Sequence, residues 1–356
     1  MTRVMHVISG LDTGGAEAFL VQLATALKAR GFEQDVVSVT KLGAHAPTLQ
    51  AAGIPVHALN VGSLAGALAA VGRLSALVRK VRPDVMQGWM YHGDLFAALA
   101  NRIVPGGRRL YWNLRASDTV EGGYGRLVRI NAKLSAWPNL VIANSKTGLD
   151  FHLRHGYRPR RTDVIPNGVD VEKFRPDAAD RAALRAELGL RDDAVVAIHV
   201  ARLNPMKDHD SFLRAMRSLP DVRGLLVGAG TETLALPGNV TALGLRKDVD
   251  RLYRCADIVV LSSAFAEGFS NVLAEGMSSG LVPVATDVGD ARLIVGDTGQ
   301  VVPIRDPDAL AKALAMEAGH PAHEARKAQA RARMTENFTI DRAVGRFATL
   351  YESGAA

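Results

Sequence analysis

The sequence predicts an α/β chain made of two doubly wound domains, each built on a largely parallel sheet. Three observations lead there. Short β-rich runs recur along the 356 residues, each followed by a turn and an amphipathic stretch. Most runs lack in/out alternation, as in Ala194-Val195-Val196-Ala197-Ile198, which suits strands buried on both faces. The turn-forming stretch Ile165-Pro166-Asn167-Gly168-Val169-Asp170 divides the runs, and the charge balance changes across it.

In the first half, strands are expected at 3–8, 34–40, 55–58, 84–87, 109–113 and 139–143. In the second they fall at 194–200, 223–228, 257–261 and 282–286. Helical patterns lie between them, among them 16–30, 208–218 and 271–279, and 325–333 and 340–351 read as terminal helices. The expected division is 1–168, 169–337 and a terminal helical segment, 338–356, that packs back on the first domain. No internal repeat or low-complexity stretch is evident. Ligands of open α/β sheets bind beyond the carboxyl ends of the strands, so strand-to-helix loops are where functional residues are sought.

Apolar residues make up 48% and charged residues 22%, an ordinary globular composition. The single cysteine, Cys255, sits in an apolar run and reads as a small buried side chain. It can form no internal disulfide, and nothing points to an oxidising compartment. The longest apolar stretch, 63–78, is interrupted by Gly66, Gly72, Arg73 and Ser75, too often for a membrane span. The first residues lack the layout of a signal peptide, so a cytosolic protein is expected. Residues 1–170 hold 20 Lys and Arg against 11 Asp and Glu, and the remainder is slightly acidic. A basic first half suits phosphate groups, an anionic membrane surface or nucleic acid, or is a solvated surface without a partner.

Four loops carry the chemistry. Ser9-Gly10-Leu11-Asp12-Thr13-Gly14-Gly15-Ala16-Glu17 ends a strand and opens a helix. Its free N–H groups and paired glycines suit close approach to an anion, and it lacks the dinucleotide G-x-G-x-x-G spacing. Gln87-Gly88-Trp89-Met90-Tyr91-His92-Gly93-Asp94 follows a strand and offers His92 for a sugar hydroxyl or a proton. A structural histidine packed under Trp89 and Tyr91 would look the same. Val200-Ala201-Arg202-Leu203-Asn204-Pro205-Met206-Lys207 brings a planar fork and a mobile ammonium across a proline turn, a pair suited to two phosphates.

Glu267-Gly268-Phe269-Ser270-Asn271-Val272-Leu273-Ala274-Glu275 is the most specific of the four. Ser270 or Asn271 can cap the helix that follows, leaving backbone N–H groups for a phosphate or hydroxyl. Glu267 and Glu275 bracket that helix end as acceptor-only groups, fit for vicinal hydroxyls. Two D-x-D strings, Asp208-His209-Asp210 and Asp248-Val249-Asp250, fall at expected helix starts and read as caps rather than metal ligands. Gly228-Ala229-Gly230 reads as a close-approach turn.

Taken in order, these motifs resemble the retaining glycosyltransferases of family 4, over almost the whole chain. The likeness rests on Gly14-Gly15-Ala16-Glu17, Trp89 to His92, Ile165 to Asp170, Arg202 with Lys207, and the E-x7-E pair Glu267 and Glu275. It implies the GT-B architecture, two facing Rossmann-like domains with a cleft between them. By that likeness Arg202 and Lys207 neutralise the donor diphosphate as the nucleotide leaves. Glu267 holds hydroxyls of the transferred sugar beside the backbone of Phe269, Ser270 and Asn271, and Glu275 takes the ribose. Gly14 and Gly15 let the first loop approach the phosphates, His92 contacts the sugar near the reacting carbon, and the base lies against Leu245 and Arg246.

The implied reaction is front-face transfer from a nucleotide-sugar without a metal or cofactor, and UDP is the commonest nucleotide among such enzymes. The implied acceptor is a glycan or lipid-linked glycan for cell-surface polysaccharide, reached by peripheral attachment of the basic first domain to an anionic membrane. The chain departs from many relatives at Gln87, often histidine, at Asp290, often glycine, and at Gly276, often alanine. A UDP-sugar 2-epimerase on the same architecture, or a nucleotide-sugar-binding protein without turnover, would keep the phosphate and ribose contacts. No acid/base carboxylate pair for an epimerase is identified, and no nucleic-acid-binding module is recognisable.

Overall fold

The computed structural model describes residues 2–12, 14–115, 124–320 and 322–353, with Leu64 and Ala65 described by their backbone only. Thr13 of the first loop lies outside the described residues. The chain forms two compact units. Unit one is Met1–Gly168 with Ile340–Ala356, and unit two is Val169–Thr339.

Unit one carries seven described strands: β1 (Arg3–Ile8), β2 (Glu33–Ser38), β3 (Val56–Ala58), β4 (Val85–Trp89), β5 (Arg109–Leu114), β6 (Leu140–Ala143) and β7 (Thr162–Val164). They pair in parallel in the order β3-β2-β1-β4-β5-β6-β7, so the winding reverses between β1 and β4. Both faces are covered. Along β1, Val4 and Ile8 pack with Phe19, Leu20 and Leu27 of the helix Gly15–Ala29. Met5 and Val7 pack on the other side with Leu74 and Val78 of the helix Leu64–Val81. This is why the strand shows no polar alternation.

The helix Ile340–Ser353 belongs to unit one, where Val344, Phe347 and Tyr351 join the cluster of Phe19 and Trp89. Each such fully buried large apolar side chain contributes about 1.5–3 kcal/mol. The Tyr351 hydroxyl donates to Gln87 Oε1, so the residue that departs from many relatives serves the packing of this helix.

In unit two the described strands are β8 (Val195–Val200), β9 (Val222–Val227), β10 (Val240–Ala242), β11 (Ile258–Leu261), β12 (Val282–Thr286) and β13 (Gln300–Val302). They are parallel in the order β10-β9-β8-β11-β12-β13, and here the winding reverses between β8 and β11. The helix Asn271–Ser278 packs so closely on β11 that a Cβ at Gly276 would stand 2.6 Å from Val259 Cβ, which explains glycine there. Asp257, just before β11, is buried and receives Arg181 at 2.7 Å, Arg185 at 2.8 Å and Lys327 at 2.8 Å. Unit two runs to Thr339, two residues past the expected 337. A parallel bridge there joins Val169 to Thr339, where the chain enters and leaves the unit.

Three strands lie outside the sequence reading: β7, β10 and β13. Each has three residues and sits at the edge of its sheet, too short for a periodic signal. The helix expected at 325–333 extends over His323–Asn337.

Candidate active site

In unit two the functional candidates gather at the carboxyl ends of β8 and β11, on either side of the reversal, where α/β sheets bind ligands. After β8, Asn204 Oδ1 accepts from the Met206 N–H at 2.9 Å and sets up the short turn Pro205–Lys207. That turn is tied to the loop after β11. Ala264 N–H donates to Met206 O at 2.8 Å, and Ser262 Oγ donates to Lys207 O at 2.8 Å. As a result Lys207 Nζ forms an ion pair with Glu267 Oε1, although sixty residues separate them. Ser263 Oγ donates to the same oxygen at 2.7 Å. Glu267 is only 8% exposed, so its charge is held by two donors inside the loop.

The loop that carries Glu267 is held from behind. Gly289, at φ 58°, sits where a Cβ would stand 2.6 Å from the carbonyl oxygens of Glu267 and Gly268. Asp290 N–H donates to Gly268 O at 3.1 Å. The departure at Asp290 thus falls on a buried residue beside the site, and the glycine that permits the close approach is Gly289. Phe269 and Ser270 are buried, and Ser270 caps the helix Asn271–Ser278 with its Oγ 3.5 Å from the Leu273 N–H.

Glu275 lies one turn into that helix, where its Oε2 accepts from the Tyr253 hydroxyl at 3.3 Å. Burial pushes its carboxyl up to about 7, against the opposing pull of Tyr253 and Lys173, while Asp250 adds to the rise. Arg202 is exposed and makes no ion pair among the described residues. Gly228 N–H donates to Gly244 O at 2.7 Å and Leu203 N–H to Ala229 O at 2.8 Å, so the Gly228 turn lies on the Arg202 loop, a contact the sequence reading did not include. Leu245 is 74% exposed, open for a planar group to cover. Arg246 is engaged by Asp248 at 2.6 Å.

That pair corrects one expectation. Asp208 does cap its helix, accepting from Ser211 N–H at 3.3 Å and from Ser211 Oγ at 2.6 Å. Asp248 stands at a helix start without capping it by its side chain, because Arg246 two residues earlier claims both carboxylate oxygens. Among the described residues no group of three or more His, Cys, Asp or Glu is arranged to hold a metal ion.

Unit one places its candidates at its own reversal. Gly15 is the first residue of the helix Gly15–Ala29, and a Cβ at Gly14 would meet the Glu17 carboxylate at 2.3 Å. The strand β4 runs to Trp89, beyond the expected 84–87, and the helix Met90–Ile103 begins at once through Met90 at φ 64°. His92 is therefore in a first helical turn. It is half-buried, burial lowers its pKa, and its ring meets Tyr124 edge-on at 6.1 Å. Trp89 and Tyr91 do not enclose it. Trp89 Nε1 donates to His6 Nδ1 at 3.1 Å, and Tyr91 pairs with His152 at 2.9 Å.

The residue reading overlooked Ser263, Tyr253 and Arg115. The last follows β5 directly, and its guanidinium lies over Phe19 and Trp89. At the amino end of the same sheet a groove of about 750 Å³ is lined by Arg79, Arg82, Arg108, Arg109 and Asp84. Two arginine clusters apart in sequence thus share one surface. The exposed side of the helix Gly125–Leu134 carries Arg126, Arg129, Ile130 and Lys133, with Trp137 exposed just beyond. No described helix is long and apolar enough to cross a membrane.

Comparison with known proteins agrees with this geometry. Residues 13–173 match the family described as Glycosyltransferase Family 4, and residues 194–316 match Glycosyl transferases group 1. The D-inositol 3-phosphate glycosyltransferase of Streptomyces avermitilis is 29% identical over 401 residues, covering 98% of this chain and 85% of that protein. In fold, the chain resembles Anabaena Alr3699/HepE, solved in complex with UDP, at TM-score 0.88 and 24% identity, covering 99% of this chain and 100% of that one. Sucrose-phosphate synthase from Thermosynechococcus elongatus gives TM-score 0.84 at 20% identity, covering 99% and 98%. With two family matches spanning both units, and parallel sheets whose candidate residues stand at the winding reversals, the chain belongs to the family-4 glycosyltransferases and has the GT-B fold.

Proposed function

We propose that this transferase moves a hexose or N-acetylhexosamine from a UDP-sugar to a glycan or lipid-linked glycan of the cell surface, with retention and without a metal. The observation that carries the reading is the Lys207–Glu267 pair at the reversal of unit two, beside the Ser270-capped helix end. A donor arriving there meets a cation for its diphosphate and a carboxylate for its sugar hydroxyls within one ion pair. Lys207 then shares its charge with the leaving phosphate, and Glu267, still held by Ser263, accepts from the sugar. Arg202 adds a second cation from the exposed loop, Glu275 takes the ribose, and the base covers Leu245. Those two cations supply the charge that a metal would otherwise bring.

UDP is favoured because a protein of the same fold is solved with UDP and with UDP-glucose. The arginine groove and the basic, Trp-flanked helix face of unit one support peripheral attachment to an anionic cytoplasmic membrane face. A second reading, a small phosphorylated acceptor, is favoured by the name of the Streptomyces relative.

Thermal melting against UDP-, GDP- and ADP-sugars tests the donor, since a ligand of the native state raises its stability. UDP-sugars are expected to raise the melting temperature most; an equal or larger rise with GDP- or ADP-sugars would reject UDP. Donor incubated alone should yield no epimerised sugar. Co-sedimentation with anionic but not neutral liposomes, lost at high salt, is expected; no preference for anionic lipid rejects the attachment.

A further inference from the structure

Arg115 carries a charge that the described part of unit one leaves unanswered. Its guanidinium stands 4.2 Å from the Phe19 ring centre and 4.8 Å from that of Trp89. Nε donates to Asn113 Oδ1 at 2.9 Å, and Nη1 donates to Asn167 Oδ1. Nη2 is closed off from solvent and has no hydrogen-bond partner among the described residues. Two aromatic faces and two neutral amide oxygens thus fix the plane of the fork without neutralising it.

Three other enclosed arginines are treated differently, whereas Arg108 and Arg331 meet backbone carbonyls. Arg185 meets Asp257 at 2.8 Å, Arg326 meets Glu317 at 2.7 Å, and Arg254 pairs with Asp180. No carboxylate among the described residues pairs with Arg115, and burial pulls its pKa down to about 9. A buried cation without a counter-charge is costly, and an anion brought beside it relieves that cost.

Its place in the fold says where that anion sits. β5 adjoins β4, which adjoins β1 across the reversal, so Arg115 stands at the ligand-binding end of the sheet. Trp89, beneath it, is the last residue of β4 and directly precedes the turn to His92. Phe19 lies in the second turn of the helix that Gly15 opens.

We propose that Arg115 is a receptor for a phosphate group of the bound substrate, which displaces what covers Nη2 and takes its free N–H groups. A planar fork suits a tetrahedral oxyanion, and holding it between two rings removes the cost of ordering it at each binding event. The phosphate has two sources: the donor diphosphate, or a phosphate carried by the acceptor. This rests on the proposed transfer reaction for the identity of the substrate but not for the existence of the anion site.

The test compares melting of the full chain in plain buffer, with UDP and with inorganic phosphate, for wild type, Arg115→Gln and Arg115→Lys, with matched calorimetry. Wild type is expected to be stabilised by at least one probe. Arg115→Gln should melt at the same temperature or higher in plain buffer, because an unanswered buried charge has gone. It should bind the responding probe at least tenfold more weakly. A loss seen with UDP assigns the donor diphosphate; a loss confined to inorganic phosphate assigns the acceptor. Arg115→Lys should recover only part of the response, since ammonium keeps the charge but not the fork.

A folded Arg115→Gln chain with full response to both probes overturns the proposal, as does a wild type that responds to neither. Failure of Arg115→Gln to fold would mark the arginine as structural and overturn it too. A wild type stabilised by inorganic phosphate but not by UDP counts against the UDP donor and leaves the anion site standing.

Discussion

Asp257, just before β11 in unit two, and Asp94, in the helix Met90–Ile103 of unit one, are both buried carboxyls, and their surroundings are opposite. Asp257 is met by Arg181, Arg185 and Lys327; against the rise that burial imposes, Lys327, Arg181 and the Val196 N–H hold its pKa below the ordinary carboxylate range. Asp94 accepts only the Asn113 N–H, at 3.2 Å, while its Oδ2 has no partner among the described residues. Burial raises its pKa well above the usual range, so it is kept neutral. The same contrast runs through the two candidate sites. Unit two pairs Lys207 with Glu267, whereas unit one offers a half-buried neutral His92, aromatic rings and the unpaired fork of Arg115. At these positions unit two meets charge with charge, while unit one sets a half-buried histidine and aromatic rings around the fork of Arg115.

The sharpest way to break this comparison is to remove the two carboxyls. Asp257→Ala strands Arg185 without its counter-ion and should cost about 3–5 kcal/mol in urea unfolding. Asp94→Asn replaces a group already neutral and should cost less than about 1 kcal/mol. Equal losses would show that the two environments do not differ as described.

Activity comes next. Lys207→Ala and Arg202→Ala should each lose about 2–4 kcal/mol of transition-state stabilisation, read in kcat/KM. Glu267→Ala should lower turnover more than nucleotide affinity, and Glu275→Ala the reverse. Activity within a few-fold of wild type in both cation variants would remove them from the leaving-group role.

Smaller, and specific in sign, is the pH response of Glu275. Its folded pKa, about 7, lies above the unfolded value, so the folded state holds the proton more tightly. The stability this group contributes is fully present below the unfolded pKa and is lost as pH rises through about 7. UDP affinity should move oppositely, falling up to about tenfold per pH unit below 7, because the ribose contact proposed for Glu275 needs the carboxylate. Glu275→Gln should flatten both trends. The smallest expected effect is that of EDTA: activity unchanged. Complete loss, restored by manganese or magnesium, would return the D-x-D strings to consideration as metal ligands.

Most of unit two's site was legible because its chemistry is written in local strings. The Glu267 to Glu275 spacing and the Arg202 to Lys207 turn each lie within one strand-to-helix connection. What could not be read was that Lys207 would meet Glu267, which depends on β8 and β11 being sheet neighbours. Unit one was harder. Arg115 looks like an ordinary charge ending an apolar strand, and its meaning comes from Phe19 and Trp89, which other elements bring to it. The one available signal was its position, directly at the carboxyl end of a central strand. Asp248 misled because a helix-start aspartate is a good cap until an arginine two residues away competes for it.

The helix Ile340–Ser353, which follows unit two in sequence, completes the first unit, and that sets an order of events during synthesis. A ribosome releases residues 1–168 early, yet Phe347 and Tyr351, which pack among Phe19, Trp89 and Tyr111, emerge only after the whole of unit two. Unit two, begun second, has its whole sequence by Thr339 and can fold first. Until then the nascent unit one exposes an apolar furrow where the helix Ile340–Ser353 will lie, a natural handhold for a chaperone. Loss of residues 340–353 would thus harm the unit whose sheet is encoded before residue 168.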